Sequence, residues 1–274
     1  MNKAKILLLL AFVSPMLFSF QCNESKNKET KSENITPSKQ KKDSTKTTLT
    51  GLQKLLKAYP NFLDKADGNK LYWKDGATMI YDDGKEKTHE EKLENADIED
   101  MMSQEYITGA KWGEPPAKNI EPGRIRYEPF FEKMYGNSQS AVTSNLTTIN
   151  WFGTSVQVST INEVDNKFKA VMEDLEKLPE KYHKYFKKTA GTFNYRKIAG
   201  TNRYSAHAYG IAIDINTEYS DYWQWDKSMK YKNRIPIEVA EVFEKHGFIW
   251  GAKWYHYDTM HFEYRPELLK LELK

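Results

Sequence analysis

Residues 205–215 read SAHAYGIAIDI. The three isoleucines of this stretch alternate with small or polar residues, and this period of two predicts a β-strand. Gly210 precedes the strand, and glycine permits the turn or close approach that would bring His207 to it. Asp214 lies on the strand among isoleucines, where a carboxylate is costly to bury unless it is paired or bound to a cation. The stretch therefore predicts either metal binding by His207 and Asp214 or a salt-bridged aspartate beside a turn histidine.

A second stretch, residues 257–264 (YDTMHFEY), places three polar side chains among apolar and aromatic neighbours. These are Asp258, His261 and Glu263. Two histidine nitrogens and one carboxylate oxygen, with the fourth position left to water, form the ligand set of a catalytic zinc site. Such a site needs a nearby carboxylate to accept a proton, and Asp258 or Glu263 could do so. Because the chain has six histidines, the residue types alone leave the choice of ligands open.

Both stretches resemble motifs of the M15 peptidase family. This family includes D-alanyl-D-alanine carboxypeptidases, vancomycin-resistance dipeptidases and phage L-alanyl-D-glutamate endopeptidases. Its first motif has the form SxHxxGxAxD, which residues 205–214 match at every fixed position. Its second motif places an acid three residues before the last zinc ligand, as Asp258 precedes His261. The resemblance extends over roughly residues 185–266.

The resemblance implies Zn²⁺ as the cofactor and a role for each motif residue. Its zinc ligands fall on His207, Asp214 and His261. Its general base falls on Asp258, and the arginine that contacts the scissile carbonyl falls on Arg196. Arg203 lies closer to the first motif in sequence and is the alternative for that arginine.

Side chains beside the motifs are further candidates. Ser205, Tyr209 and His256 are candidate substrate-binding residues. Glu263 lies one strand alternation from His261, which puts both on one face. It is expected either to orient that histidine as a hydrogen-bond acceptor or to form a structural ion pair. Four tryptophans could line a cleft or belong to the core: Trp223, Trp225, Trp250 and Trp254.

The fold class expected is α+β, with a small, mostly antiparallel sheet flanked by helices. The resemblance implies a fold of the hedgehog and DD-peptidase type, with an N-terminal extension. Apolar residues on one face predict a helix over 164–178 and a second over 237–243. Strands are predicted at 156–158, 248–250 and 260–264.

The region before the motifs has weaker signals. Leucines near residue 52 predict a first helix that ends before Pro60. Residues 64–69 predict a turn, because the pattern of a calcium loop fails at its twelfth position. Residues 82–84 predict a hairpin turn, and the charged residues 86–104 a solvated helix or loop. Residues 115–136 predict irregular but packed chain.

The front of the chain predicts an export signal over residues 1–21. Two lysines precede an apolar run at residues 6–20. That run is shorter than the ~20 residues of a membrane span and is typical of a secretory signal. Cys22 follows at the position that is acylated in lipoproteins, although residues 19–21 differ from the usual small-residue pattern. Lipidation, plain secretion and an uncleaved anchor therefore remain open.

Charge and composition define the remaining segments. Residues 22–48 are polar, with one large aliphatic residue, and predict a flexible tether. The net charge of +3 leaves about −2 on residues 49–274, which argues against a nucleic-acid partner. The expected divisions are a signal peptide (1–21), a tether (22–48), an N-terminal extension (49–150) and a zinc peptidase core (151–274).

These features predict a peptidase of the cell envelope, periplasmic or extracellular and anchored to the membrane through Cys22. Its expected substrate is the stem peptide of peptidoglycan, cleaved by D-alanyl-D-alanine carboxypeptidase activity. Two alternatives remain: an L-alanyl-D-glutamate-type endopeptidase, and a wall-binding module without catalysis. The complete motif set favours an enzyme over such a module.

Overall fold

A computed structural model describes residues 49–225 and 228–270. The expected signal peptide (1–21), the lipidation site Cys22 and the expected tether (22–48) lie outside the described residues. In the described part of the chain, no helix has the length and apolar character needed to cross a bilayer.

The described residues form short helices and strands, named here in chain order. The α-helices are α1 (Gly51–Ala58), α2 (His89–Asn95), α3 (Ile98–Met102), α4 (Glu128–Tyr135), α5 (Gln139–Thr143), α6 (Val164–Glu176), α7 (His183–Phe186) and α8 (Ile237–Lys245). The strands are β1 (Leu63–Asp67), β2 (Lys70–Trp73), β3 (Thr78–Ile80), β4 (Leu146–Trp151), β5 (Thr154–Ser159), β6 (Thr189–Gly191), β7 (Ala212–Ile215), β8 (Phe248–Trp250) and β9 (His261–Tyr264).

The strands pair into three small antiparallel sheets. Their orders are β1-β2-β3, β4-β5 and β6-β7-β9-β8. The expected α+β class, with small antiparallel sheets flanked by helices, is confirmed. The two strongest helix predictions are confirmed by α6 and α8, and the strand predictions by β5, β8 and β9.

The four-stranded sheet has one apolar face and one polar face. Across β7 and β9, Ile213 pairs with Phe262 and Asp214 pairs with His261. Phe262 stacks on Phe243 of α8, with ring centroids 3.9 Å apart. Because strand residues alternate between faces, α8 covers the apolar face while Asp214 and His261 share the opposite face.

Two predictions for the N-terminal part are wrong. Residues 82–84 form no hairpin turn, because β3 has already ended and the chain runs on to α2. The Asp82 and Asp83 carboxylates accept hydrogen bonds from the Gly84 and Lys85 backbone N–H groups at 2.7 and 3.0 Å. Such local bonds stabilise an open loop. Residues 86–104 are not fully solvated, because α3 buries apolar side chains.

Two other predictions for the N-terminal part are confirmed in part. Of the turn predicted at 64–69, residues 68–69 form the turn that joins β1 to β2, whereas residues 64–67 belong to β1. Of the stretch 115–136, residues 115–127 are irregular but mostly exposed before residue 121, and α4 begins at Glu128. A proline in the first turn of α4 is compatible with this helix start.

One hydrophobic cluster includes residues from both sides of position 150. Phe131 of α4 lies 5.8 Å from Tyr209 between ring centroids. The boundary expected between residues 150 and 151 falls inside β4. The division into an extension and a peptidase core stays a prediction.

Gly210 ends a short 3-10 helix, Ala206–Tyr209, that carries His207 to the sheet. Its φ of +67° is left-handed, and a Cβ there would lie 2.6 Å from Leu146 Cδ2 and 3.1 Å from Ser159 N. The predicted turn is confirmed, and the close approach is made to β4 and β5. Gly210 therefore sets the distance between the histidine turn and the β4–β5 hairpin.

Replacing Gly210 with alanine is expected to destabilise the fold by about 2–4 kcal/mol, because left-handed strain adds to overpacking. Gly76→Ala is the matched control, since Gly76 has φ +87° with nothing within 4 Å of the added Cβ. Strain alone is expected to cost it about 1 kcal/mol. Urea unfolding measures both losses, and equal losses would contradict the close approach.

Candidate active site

Three side chains converge on one point of the polar sheet face. His207 comes from the 3-10 helix, Asp214 from β7 and His261 from β9. His207 Nε2 lies 3.1 Å from Asp214 Oδ1 and 3.2 Å from His261 Nδ1. His261 Nδ1 lies 3.0 Å from Asp214 Oδ1. These three atoms form a nearly equilateral triangle, and the residues form a group that could hold a metal ion.

The outward nitrogen of each imidazole is held by an oxygen acceptor. His207 Nδ1 lies 2.5 Å from the Thr192 carbonyl oxygen, and His261 Nε2 lies 3.0 Å from Glu263 Oε2. An N–H that donates to each acceptor leaves the inward nitrogen with a lone pair. Two such nitrogens and a carboxylate oxygen then face one another. This is the arrangement that a cation stabilises.

Electrostatics of the group also favour positive charge at its centre. Burial by itself raises the pKa of Asp214, but the charge of His207 and hydrogen bonds from both histidines hold it well below its usual range. Burial lowers the pKa of His261, but hydrogen bonds to Asp214 and Glu263 raise it to about 10. A bound cation would replace that proton, because metal ligands must be deprotonated.

Two further acidic groups with metal-like spacing surround Lys87. Its Nζ lies 3.2 Å from Asp83, 3.1 Å from Asp97 and 2.6 Å from Asp100. The lysine supplies the positive charge there, so these groups are a structural ion-pair cluster. Among the described residues, the histidine-containing group alone combines nitrogen and oxygen ligands.

Asp258 lines the same cleft as the three candidate ligands. This active-site cleft opens to solvent. Asp258 Oδ1 is buried and has no hydrogen-bond partner among the described residues. Burial, followed by the charge of Asp214, raises the pKa of the Asp258 carboxyl to about 7. An oxygen with that affinity for protons suits a general base.

Arg196 and Arg203 both line the active-site cleft. Arg196 is exposed, and Nη1 has a long 3.5 Å contact with the Lys197 carbonyl oxygen. Arg203 is buried, and Nη1 donates to the Arg124 carbonyl oxygen at 3.0 Å. Burial and the charge of Arg126 lower the pKa of Arg203 to about 10. The geometry leaves Arg196 freer to reach a ligand in the cleft.

Two more arginines in the cleft, Arg124 and Arg126, were missed from the sequence. Both precede α4, in the region predicted only as packed chain. Arg126 is buried, with Nη1 3.6 Å from Glu263 Oε2. In the sequence they are two arginines in a Pro- and Gly-rich stretch. Such a stretch has no pattern that predicts contacts with residues far away in sequence.

Of the three predicted substrate-binding residues, two line the cleft and one lies in the core. Ser205 lines the cleft, and its Oγ accepts from the His207 N–H at 3.4 Å. His256 also lines the cleft. Tyr209 is not brought to the cleft, because it lies in the core and its hydroxyl donates to Glu128 at 2.8 Å.

The four tryptophans that were candidates for the cleft or the core lie in different environments. Trp254 lines the cleft, whereas Trp250 is fully buried in the core. Trp223 packs on His256 at 4.5 Å between centroids. Trp225 is 61% exposed.

Glu263 takes both of the roles expected for it. Its Oε2 accepts from His261, and its Oε1 accepts from Arg265 Nη1 at 3.1 Å. Burial raises the pKa of Glu263, but the His261 hydrogen bond and the charges of Arg126 and Arg265 lower it to about 2. Glu263 therefore holds a candidate ligand in place and forms an ion pair with buried Arg265.

Comparison with known proteins finds one family. Residues 199–264 match the family model of D-alanyl-D-alanine carboxypeptidase, the M15 type. No match was found among curated proteins or among solved structures. The resemblance to the M15 peptidases is confirmed for this segment. It contains the three candidate ligands and Asp258, and it supports a peptidase.

Glu263→Gln is expected to destabilise the fold by about 3 kcal/mol, because it removes a buried carboxylate charge that pairs with Arg265 and lies near Arg126. Glu218→Gln is the matched control, since Glu218 is 61% exposed and lies 3.7 Å from Lys188. Its loss is expected to be within about 0.5 kcal/mol. Urea unfolding measures both, and a Glu263 variant as stable as the control would contradict the assigned role.

Proposed function

We propose that this M15-type peptidase is a zinc-dependent carboxypeptidase that removes terminal D-alanine from peptidoglycan stem peptides. The observation that carries the proposal is the convergence of His207, Asp214 and His261 beside Asp258 in one cleft.

The donor set fits zinc. Zinc binds imidazole nitrogen and carboxylate oxygen together, whereas Mg²⁺ and Ca²⁺ prefer oxygen ligands alone. The three inward atoms lie 3.0–3.2 Å apart. Tetrahedral zinc with bonds of about 2.0–2.1 Å separates its ligands by roughly 3.3 Å. The triangle is therefore close to the size that zinc requires.

Zinc held there would lower the pKa of water toward ~7 and polarise a peptide carbonyl. Asp258 accepts the proton of the attacking water on Oδ1, which has no hydrogen-bond partner among the described residues. The carboxyl then returns this proton to the leaving amine. Burial of this carboxyl favours the exchange, because desolvation raises its affinity for a proton.

Arg196 stabilises the negative charge that develops on the carbonyl oxygen. Its side chain lines the cleft and is exposed, so a bound peptide can reach it. Donors of this kind contribute roughly 3–4 kcal/mol to the transition state.

The arginines of the cleft support a carboxypeptidase over an endopeptidase. Four guanidinium groups line it, against the carboxylates of Asp214, Asp258 and Glu263. Asp214 would face the metal, and Glu263 already pairs with Arg265 and lies near Arg126. Arg124, Arg126 and Arg203 pair with Glu121, Glu128 and Glu94. Arg196 is therefore the cleft guanidinium without an ion pair among the described residues, and its charge suits the free carboxylate at the end of a peptide.

The exported location belongs to the same proposal. An apolar run followed by Cys22 supports export and attachment to the membrane by lipid. The stem peptide of the cell wall would then lie within reach of the domain.

The full chain is expected to bind one zinc per molecule, and Asp258→Asn to retain it while losing at least ~100-fold in kcat. His207→Ala is expected to lose the metal as well as activity. Asp221→Asn is the control, because Asp221 pairs with Arg234 and does not line the cleft. Metal analysis and hydrolysis assays measure these effects. An Asp258 variant with near-normal turnover would refute the base assignment.

Defined muropeptides are expected to lose their terminal D-alanine, and amidation of that terminus to reduce kcat/KM by at least ~10-fold through loss of a charged hydrogen bond. Mass spectrometry of the products identifies the bond that is cut. Cleavage between L-alanine and D-glutamate would establish the endopeptidase instead. Binding of peptidoglycan without any cleavage would favour the wall-binding module.

A further inference from the structure

The 120–126 segment lies outside the family match, and its Arg124 and Arg126 line the cleft. Four of its backbone carbonyls accept hydrogen bonds from residues beyond position 200. The pairs are Ile120 with Tyr255 N–H (2.9 Å), Pro122 with Trp254 Nε1 (2.7 Å), Gly123 with Arg265 Nη1 (2.8 Å) and Arg124 with Arg203 Nη1 (3.0 Å). The segment is therefore a fixed wall of the cleft.

Glu121 is the buried charge of this wall and has no exposed surface. Its Oε1 accepts from the His256 backbone N–H at 3.0 Å and from Arg124 Nη1 at 2.7 Å. Its Oε2 lies 3.0 Å from Nε2 of His89, which does not line the cleft. Burial raises the pKa of Glu121, but Arg124 and His256 lower it overall. The carboxylate is thus held ionised.

His256 is fixed by this carboxylate. Its Nδ1 lies 2.5 Å from Glu121 Oε1, and its ring packs against Trp223. The side chain is 26% exposed and lines the cleft. Within the described residues, Nε2 has no hydrogen-bond partner. Nε2 is a separate ring atom from Nδ1, so a ligand can bind it while Nδ1 stays bonded to Glu121.

We propose that Glu121 is a positioning residue of the active site, which fixes the His256 ring so that Nε2 accepts a hydrogen bond from a substrate peptide N–H. A ring that carries its single proton on Nδ1, where it donates to Glu121, presents Nε2 as an acceptor. The arginines of the cleft offer donors to substrate oxygens, whereas His256 offers an acceptor. This inference rests on the proposed peptidase function and gives residues outside the family match a part in it.

The contact between the His256 ring and Glu121 can be tested without an activity assay. In ¹⁵N NMR of the full chain, His256 is expected to carry its proton on Nδ1, and Glu121→Gln to shift or abolish that signal. His89→Gln is the matched control, because His89 contacts the other oxygen of the same carboxylate. It is expected to leave the His256 signal unchanged. A His256 ring protonated only on Nε2, or unaffected by Glu121→Gln, would overturn the proposal.

Kinetics test the contact with substrate. His256→Ala is expected to raise KM about 10-fold with kcat nearly kept, as loss of one hydrogen bond predicts. Glu121→Gln is expected to do the same, and the double variant no more, because both act through one ring. His89→Gln is expected to match the wild type. Additive losses, or a fall in kcat alone, would contradict positioning.

The two proposals fail separately. A wild-type chain that binds zinc but cleaves no muropeptide would refute the proposed function, while the NMR signal still tests the Glu121 contact. An active wild type with unchanged His256→Ala kinetics would refute only the role of His256. If Glu121→Gln fails to fold, His256→Ala still decides the substrate contact, because its side chain is partly exposed.

Discussion

The pairing of Asp214 with His261 across β7 and β9 is the constraint on which the site depends. This register puts both side chains on one face of the sheet and leaves Ile213 and Phe262 on the other. A shift of one residue would exchange the faces, which would bury the candidate ligands under α8 and expose the core residues. Apolar packing thus holds the polar site in place. His207 then needs only the Gly210 turn to complete the triangle.

Charge behind the triangle connects it to the N-terminal part of the chain. Glu263 holds His261, Arg265 holds Glu263, and Arg265 Nε also donates to Glu267 at 2.6 Å. Tyr59, just after α1, donates its hydroxyl to Glu267 at 2.6 Å. Each buried charge in this series has a partner, as burial requires. Residues 49–150 therefore contribute to the support of the site as well as to its wall.

Much of the site could be predicted from sequence because its residues are local to two short motifs. The alternation of isoleucines predicted β7, and the two-residue spacing of His261 and Glu263 predicted their shared face. Tyr209 was placed near substrate by its position in the motif, but the 3-10 helix turns it into the core. Glu121 could not be predicted, because its contact with His256 spans 135 residues and no local pattern encodes such a contact. The same holds for Arg124 and Arg126.

The most direct measurement is anomalous diffraction at the zinc edge from crystals of the zinc-loaded full chain. We expect a peak about 2.0–2.1 Å from His207 Nε2, His261 Nδ1 and an Asp214 carboxylate oxygen. Asp258 is expected close to this peak but outside bonding distance. A zinc peak bound by other side chains, or no peak between these three atoms, would contradict the assignment of the site.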